Sequence, residues 1–191
     1  MRWFSGLLSV VAGLVLSLPF ATIPVAHAQE ASPATSHAPC PATSPEENKA
    51  LVERYWAEVW TAGGAAVVAE VLAPEEVHHW GVGGDTVGPA AFTQRLTSFL
   101  TAFPDFAIQI EQLVAEDDWV VSYYTATGTQ QGAWLGIPAR GAQVEYTGFN
   151  LFRISCGQIA ESWGEADHLE LVRQIGGLPD LATPAAEAPA A

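Results

Sequence analysis

Residues 119–163 have the sequence WVVSYYTATGTQQGAWLGIPARGAQVEYTGFNLFRISCGQIAESW. The segment contains three runs rich in aromatic and β-branched residues, which favour strands: Trp119–Thr129, Val144–Ser155 and Gln158–Trp163. Cys156-Gly157 joins the last two runs, as expected for a β-hairpin. A further run, Phe106–Ala115, precedes them across the acidic turn Glu116-Asp117-Asp118. The sequence therefore predicts four consecutive antiparallel strands.

Helix signals lie on both sides of these strands. Ser44-Pro45-Glu46-Glu47 supplies an N-cap serine, a proline at the first helical position and a glutamate three residues after the cap. The predicted helices run from this cap to Gly63-Gly64, over Ala65–Leu72, over Pro89–Phe103 and over Asp167–Ile175, with a brief extended segment at Val77–Trp80. Helices collected before a sheet must cover one of its faces. We therefore predict an α+β fold, in which a curved antiparallel sheet wraps around the N-terminal helices and leaves a pocket between them.

The two ends of the 191-residue chain differ in composition from this single predicted domain, residues 44–181. Residues 1–28 hold one charge, Arg2, an apolar run and the motif Ala26-His27-Ala28, which together indicate a signal peptide cleaved after Ala28. An uncleaved membrane anchor is the alternative, since the apolar run is almost long enough to span a bilayer. Residues 29–43 are predicted to be a flexible linker and residues 182–191 a disordered tail. We expect a secreted or periplasmic protein that is free of the membrane after signal cleavage.

Charge and cysteine content restrict the partners and the compartment. The chain has 21 acidic and 7 basic residues, and its formal net charge is −14. Nucleic acids and anionic membrane surfaces require a basic patch, so neither is expected as a partner. Cys40 and Cys156 are the only cysteines, and an oxidising compartment favours a disulfide between them over two free thiols. Their spacing is not that of a metal site, and we predict no metal.

Four motifs between about Lys49 and Pro179 resemble the SnoaL-like polyketide cyclase (ester cyclase) family. They are EVHHW at 76–80, FPDF at 103–106, GTQQG at 128–132 with GIP at 136–138, and ESW at 161–163 with Asp167 and QIG at 174–176. The resemblance implies the cone-shaped fold of the nuclear transport factor 2-like superfamily, whose members commonly form homodimers. It also implies chemistry without a cofactor. Two departures from the family pattern are Gln130, where the family has a histidine, and Ala139-Arg140-Gly141, where it has Pro-Thr-Gly.

Asp167 and His79 are the catalytic candidates. The resemblance implies an acid/base aspartate at Asp167, and a carboxylate among aromatic walls can remove a proton beside a carbonyl if desolvation raises its pKa. An N-cap is the alternative for Asp167, because aspartate is favoured at helix starts. Neighbours in a strand point to opposite faces, so only one of His78 and His79 can face the pocket. The resemblance favours His79, and a half-buried structural histidine is the alternative.

A second set of residues is expected to contact a small hydrophobic molecule. Polar contacts would come from Tyr146, Asn150 and Gln130, and aromatic walls from Trp80, Trp134 and Trp163. Aromatic stripes of this kind are also common in plain protein cores.

Three functions fit these features. The first is proton-transfer chemistry, of aldol, cyclase or isomerase type, on a small hydrophobic carbonyl compound. The second is binding of a hydrophobic ligand without turnover, because the same fold serves many functions. The third is epoxide hydrolysis, which in this fold usually requires an Asp-Arg-Asp set that would include Arg95 and Asp167.

Overall fold

The computed structural model describes Cys40, residues 42–80 and residues 83–178. The predicted signal peptide, most of the predicted linker and the predicted C-terminal tail lie outside the described residues. Among the helices within these ranges, none has the length and apolar character needed to cross a membrane.

The helices begin where the sequence places its caps. Helix α1 spans Pro45–Arg54, and the Ser44 side chain accepts a hydrogen bond from the Glu47 amide in a capping box. It continues as a π-helical segment, Tyr55–Thr61. The other helices are α2 (Val68–Val71), α3 (Gly88–Ala102) and α4 (His168–Gln174). Helix α2 is shorter than predicted, because Leu72 already has an extended backbone and pairs with Ile159.

Six strands form one sheet. They are β1 (Leu72–Trp80), β2 (Thr86–Val87), β3 (Ala107–Glu116), β4 (Trp119–Thr129), β5 (Gln143–Ser155) and β6 (Gln158–Ala166). Their order in the sheet is β2-β1-β6-β5-β4-β3. Strands β3 to β6 pair as three successive antiparallel neighbours, as predicted, whereas β1 lies parallel to β6. The predicted α+β fold, with a curved sheet against helices, is confirmed.

The core lies between one face of the sheet and the helices. Burial alternates along β5, where even-numbered residues from Val144 to Ile154 are buried or half-buried and most odd-numbered ones are exposed. The π-helical segment contributes Tyr55, Trp56 and Trp60, all buried, to the same core. Aromatic rings therefore make up much of the interior, and π-helical turns of this kind frequently mark functional sites.

A disulfide joins the segment before α1 to the sheet. Cys40 and Cys156 are bonded, with Cα atoms 5.2 Å apart, and they are 116 positions apart in the chain. Cys156 and Gly157 form the tight turn between β5 and β6, both with positive φ (55° and 72°). This is the hairpin geometry that the Cys-Gly pair predicts.

Candidate active site

A cavity of about 70 Å³ lies between the inner face of the sheet and the helices. Eight of its lining residues are aromatic: Trp56, Trp60, Trp80, Phe99, Phe106, Tyr124, Trp134 and Tyr146. Its polar lining comes from His78, Arg95, Asn150 and His168. The volume holds several water-sized molecules, which suits a small ligand.

The register of β1 decides which histidine enters this cavity. Glu76, His78 and Trp80 point inward, and the His78 side chain is 1% exposed and lines the cavity. His79 points to the opposite face, where its ring nitrogens lie 3.0 Å from an Asp85 carboxylate oxygen and 3.2 Å from a Glu161 one. The expectation that His79 faces the pocket is therefore wrong. The two histidines do point to opposite faces as predicted, but His78, not His79, faces the cavity.

A buried hydrogen-bond chain holds the His78 ring. The pairing of β1 with β6 places Ser162 directly opposite His78. Ser162 Oγ lies 2.7 Å from His78 Nδ1 and 2.7 Å from Glu76 Oε1. All three side chains are buried. The other ring nitrogen, Nε2, is buried with no hydrogen-bond partner among the residues that the structure describes, and the same holds for Oε2 of Glu76.

Burial shifts the protonation of these groups in opposite senses. Desolvation raises the pKa of Glu76 to about 7, because a carboxylate loses its hydration in the core. Desolvation lowers the pKa of His78 to about 3, and the positive charge of Arg95 acts in the same direction. At neutral pH the His78 ring is therefore uncharged, and a proton can enter it only if another leaves.

Two further basic side chains border the cavity. The guanidinium carbon of Arg95 lies 4.3 Å from the centre of the Trp80 ring, and one of its nitrogens donates to the Gly84 carbonyl at 3.1 Å. His168 begins α4 and is half-buried, and desolvation lowers its pKa. The acidic protein therefore places a cation at the edge of an aromatic cavity.

Asp167 does not line the cavity. It is exposed and forms the N-cap of α4, where its Oδ1 accepts a hydrogen bond from the Glu170 amide at 2.9 Å. Strand β6 continues to Ala166, so that Ser162, Gly164 and Ala166 face inward and Asp167 falls at the corner of the chain. The predicted catalytic placement is wrong, and the alternative of an N-cap is correct.

Two predicted contacts also lie elsewhere. Gln130 is buried, but its amide donates to the Ile137 carbonyl at 3.2 Å and holds the loop between β4 and β5. Trp163 is on the outer face of the sheet, with its ring stacked on His79 at 5.1 Å and 5.7 Å from the Trp119 ring. Neither residue reaches the cavity, because Gln130 is used by the loop and Trp163 alternates with the inward Ser162.

The remaining predicted contacts do line the cavity, namely Trp80, Trp134, Tyr146 and Asn150. Tyr146 is buried, and desolvation raises its pKa well above the usual value, so its hydroxyl stays protonated. No aspartate is among the lining residues of the described chain, so the Asp-Arg-Asp set of an epoxide hydrolase is not assembled around Arg95. Across the described ranges, no group of three or more His, Cys, Asp or Glu side chains could hold a metal ion.

The family follows from comparison with known proteins. The model of the SnoaL-like polyketide cyclases matches residues 50–175. The chain belongs to this family. No curated protein matches it significantly.

Solved structures with the same fold support the membership of this chain in the SnoaL-like family. TsrD from Streptomyces laurentii is 28% identical and has a TM-score of 0.65, with 71% of this chain and 99% of TsrD covered. A protein of Jannaschia sp. CCS1 assigned to the SnoaL-like polyketide cyclases is 26% identical, has a TM-score of 0.66, and covers 73% of this chain and 99% of its own. AclR from Streptomyces galilaeus is 27% identical, with a TM-score of 0.63 and coverage of 71% and 100%. The predicted family and fold are thus confirmed.

Sequence reasoning missed Glu76, Ser162 and His168, preferred His79 over His78, and considered Arg95 only for epoxide hydrolysis. The signal for two of them was present, because Glu76 and His78 are two positions apart in a strand-like run and so share a face. Ser162 could be found only through the parallel pairing of β1 with β6, which no local pattern reveals.

Proposed function

We propose that this protein catalyses proton transfer beside a carbonyl group, in an aldol, cyclase or isomerase type of reaction on a small hydrophobic compound. Membership of the SnoaL-like family supports this class of chemistry, which proceeds without a cofactor. The observation that carries the proposal is the His78 ring, whose Nε2 is buried in an aromatic cavity with no partner from the described protein. A base needs such a free lone pair within reach of the substrate proton.

Gly164 lets the His78 ring and the Asn150 side chain lie close against β6, because it has no side chain to displace them. A Cβ at Gly164 would lie 3.4 Å from His78 Nε2 and 3.2 Å from Asn150 Nδ2. A ligand over Gly164 can therefore meet a proton acceptor and an amide donor together. Nε2 of His78 takes the proton as Nδ1 releases its own toward Ser162, and the electron pair of the C–H bond moves into the carbonyl. The negative oxygen is stabilised by the Asn150 amide and the nearby Arg95 charge.

The size and dryness of the cavity favour a small substrate. Its volume of about 70 Å³ limits the substrate to a small compound. The aromatic walls exclude bulk water, and an ion pair or hydrogen bond formed there is stronger than in water. Binding of such a ligand without turnover is the competing function, and the experiment below separates the two.

We also propose that the protein acts after export, as a homodimer. A disulfide persists in oxidising compartments, which is consistent with export. The outer face of the sheet exposes Phe149 (54%), Val121 (38%) and Trp119 (37%), an apolar surface that a second copy would cover. Light scattering of the mature protein tests the dimer, and a monomeric mass at micromolar concentration would contradict it.

The catalytic proposal is tested by deuterium exchange. Cyclohexanone and methyl acetoacetate serve as probes, and proton NMR in deuterated buffer follows the signals of the hydrogens beside the carbonyl. We expect the mature protein to accelerate their loss over buffer and over a His78→Gln variant. Saturable binding of the probes with exchange at the buffer rate would instead support the ligand-binding function.

A further inference from the structure

We propose that Glu76 is a positioning residue that acts through Ser162 and determines whether His78 presents a bare nitrogen or an N–H to the cavity. Its catalytic consequence rests on the function proposed above, but the arrangement itself can be measured without turnover. The three side chains form a proton relay from the cavity into the core.

The geometry allows a single continuous chain of hydrogen bonds. Ser162 Oγ is 2.7 Å from each of its two neighbours, Glu76 Oε1 and His78 Nδ1, whereas these two atoms are 3.7 Å apart. The serine is therefore the bridge. Because β1 and β6 are paired in register at His78 and Ser162, the backbone of both strands fixes this bridge.

Counting protons along the chain gives two states. An ionised Glu76 can only accept, so Ser162 donates to it, Nδ1–H of His78 donates to Ser162, and Nε2 is bare. A protonated Glu76 donates to Ser162, which donates to Nδ1, and the proton of the ring is then on Nε2. The Ser162 hydroxyl can donate to either neighbour and accept from the other, and this couples the protonation of Glu76 to the tautomer of His78. Ser162 and His78 are 84 positions apart in the chain.

The two states differ by one proton, which the substrate supplies. Its C–H bond breaks and Nε2–H forms, Nδ1–H breaks as the Ser162 O–H forms, and the original Ser162 proton passes to Glu76. The electron pair of the C–H bond stays on the substrate as an enolate. The reverse transfer returns a proton from Nε2–H, so the same relay serves as base and as acid.

The charges around the relay are compatible with this exchange. Burial raises the pKa of Glu76, whereas the hydrogen bond from Ser162 lowers it. On the outer face, His79 also lowers this pKa and Glu161 raises it, and the outcome is a value of about 7. Arg95, from α3, and His79 both oppose a positive charge on His78, so the neutral tautomers are favoured over an imidazolium. A carboxyl with a pKa near neutrality can release and take up the proton at working pH.

A purely structural role predicts a different behaviour. A glutamine in place of Glu76 fills the same volume and can hydrogen-bond to Ser162, so packing alone would be satisfied by it. The glutamine amide does not titrate, so it cannot take up or release the proton that the relay transfers.

The test is the tautomer of His78, read by nitrogen-15 NMR of the mature protein at about pH 5.5 and about pH 8.5, on either side of the Glu76 transition. We expect the Nε2–H tautomer at the lower pH and the Nδ1–H tautomer at the higher one. The Glu76→Gln variant should show one tautomer at both values, and Ser162→Ala should lose the switch although Glu76 still titrates. Glu116→Gln, at the exposed end of β3, is the control and should keep the switch.

The same variants are assayed for deuterium exchange into cyclohexanone. Glu76→Gln should lower kcat by about tenfold or more with little change in KM, and should remove the limb of the pH profile near neutrality. A single tautomer in the unaltered protein at both pH values, or a switch that survives in Glu76→Gln, overturns the relay. A switch without any exchange would instead leave the relay in place and refute the proposed function.

Discussion

His78 and His79 are consecutive residues whose side chains lie on opposite sides of the sheet. The His78 side chain is 1% exposed and lines the aromatic cavity, whereas that of His79 is 30% exposed and pairs with Asp85 and Glu161. Glu161 raises the pKa of His79, while desolvation lowers that of His78. Two consecutive residues of β1 thus differ in burial and in protonation: His78 is buried with a lowered pKa, and His79 is partly exposed with a raised one.

Asp167 is expected to contribute to stability and not to turnover. Because it caps α4, Asp167→Ala should lower the free energy of unfolding by about 1 kcal/mol. Asp167→Asn keeps a capping oxygen and should cost much less. Urea denaturation measures the stability, and deuterium exchange measures the activity. A large loss of exchange activity in folded Asp167→Asn would contradict this and indicate that Asp167 takes part in catalysis.

The pH dependence of stability should reveal Glu76. Its pKa in the folded protein, about 7, is above that of an exposed glutamate, so the folded state binds the proton more tightly and loses stability as pH rises. The free energy of unfolding decreases between the pKa of glutamate in the unfolded chain and about pH 7, and the decrease amounts to about 3 kcal/mol. Glu76→Gln lacks this transition, so its stability relative to the unaltered protein should increase by that amount over the window. A difference that is constant with pH contradicts a buried, titrating Glu76.

The disulfide is expected to be present in the mature protein and to stabilise it. A thiol assay on denatured, unreduced protein should find no free thiol, and two titratable thiols would exclude the bond between Cys40 and Cys156. Replacing both cysteines by serine should lower the stability by about 2–4 kcal/mol, because the cross-link restricts the unfolded chain. The comparison is made by denaturation of both proteins under the same conditions.

Arg95 should stabilise negative charge in the cavity and keep His78 neutral. Arg95→Gln removes a positive charge that lowers the pKa of His78, so the titration of that ring should move upward. Exchange into cyclohexanone should slow by about a hundredfold if the guanidinium stabilises the enolate. Arg54→Gln is the control, since Arg54 pairs with Glu58 and Glu70 away from the cavity. Equal rates in both variants would remove Arg95 from the mechanism.

The fold could be predicted from the sequence because its signals are local. The capping box at Ser44 and the Cys156-Gly157 turn each specify a boundary through the chemistry of a few adjacent residues, and β4 is found at Trp119–Thr129 as predicted. The polypeptide needs no distant partner to satisfy these features.

The site could be predicted only in part, because its geometry depends on pairings between distant segments. Alternation along β5 correctly placed Tyr146 and Asn150 in the cavity. The choice between His78 and His79 depended on the register of β1 against β6, which is set by contacts between residues more than 80 positions apart. The residues alone favoured an N-cap for Asp167, and it was misplaced because the family resemblance was given more weight than this local preference.

The most direct test of the account compares two variants that differ by one position, His78→Gln and His79→Gln. Deuterium exchange into cyclohexanone and methyl acetoacetate is measured for each folded variant beside the unaltered protein. We expect His78→Gln to lower the rate by about a hundredfold or more, as removal of a general base does, and His79→Gln to keep it within about twofold. Equal rates for the two variants, or a greater loss for His79→Gln, would contradict the assignment of His78 as the base.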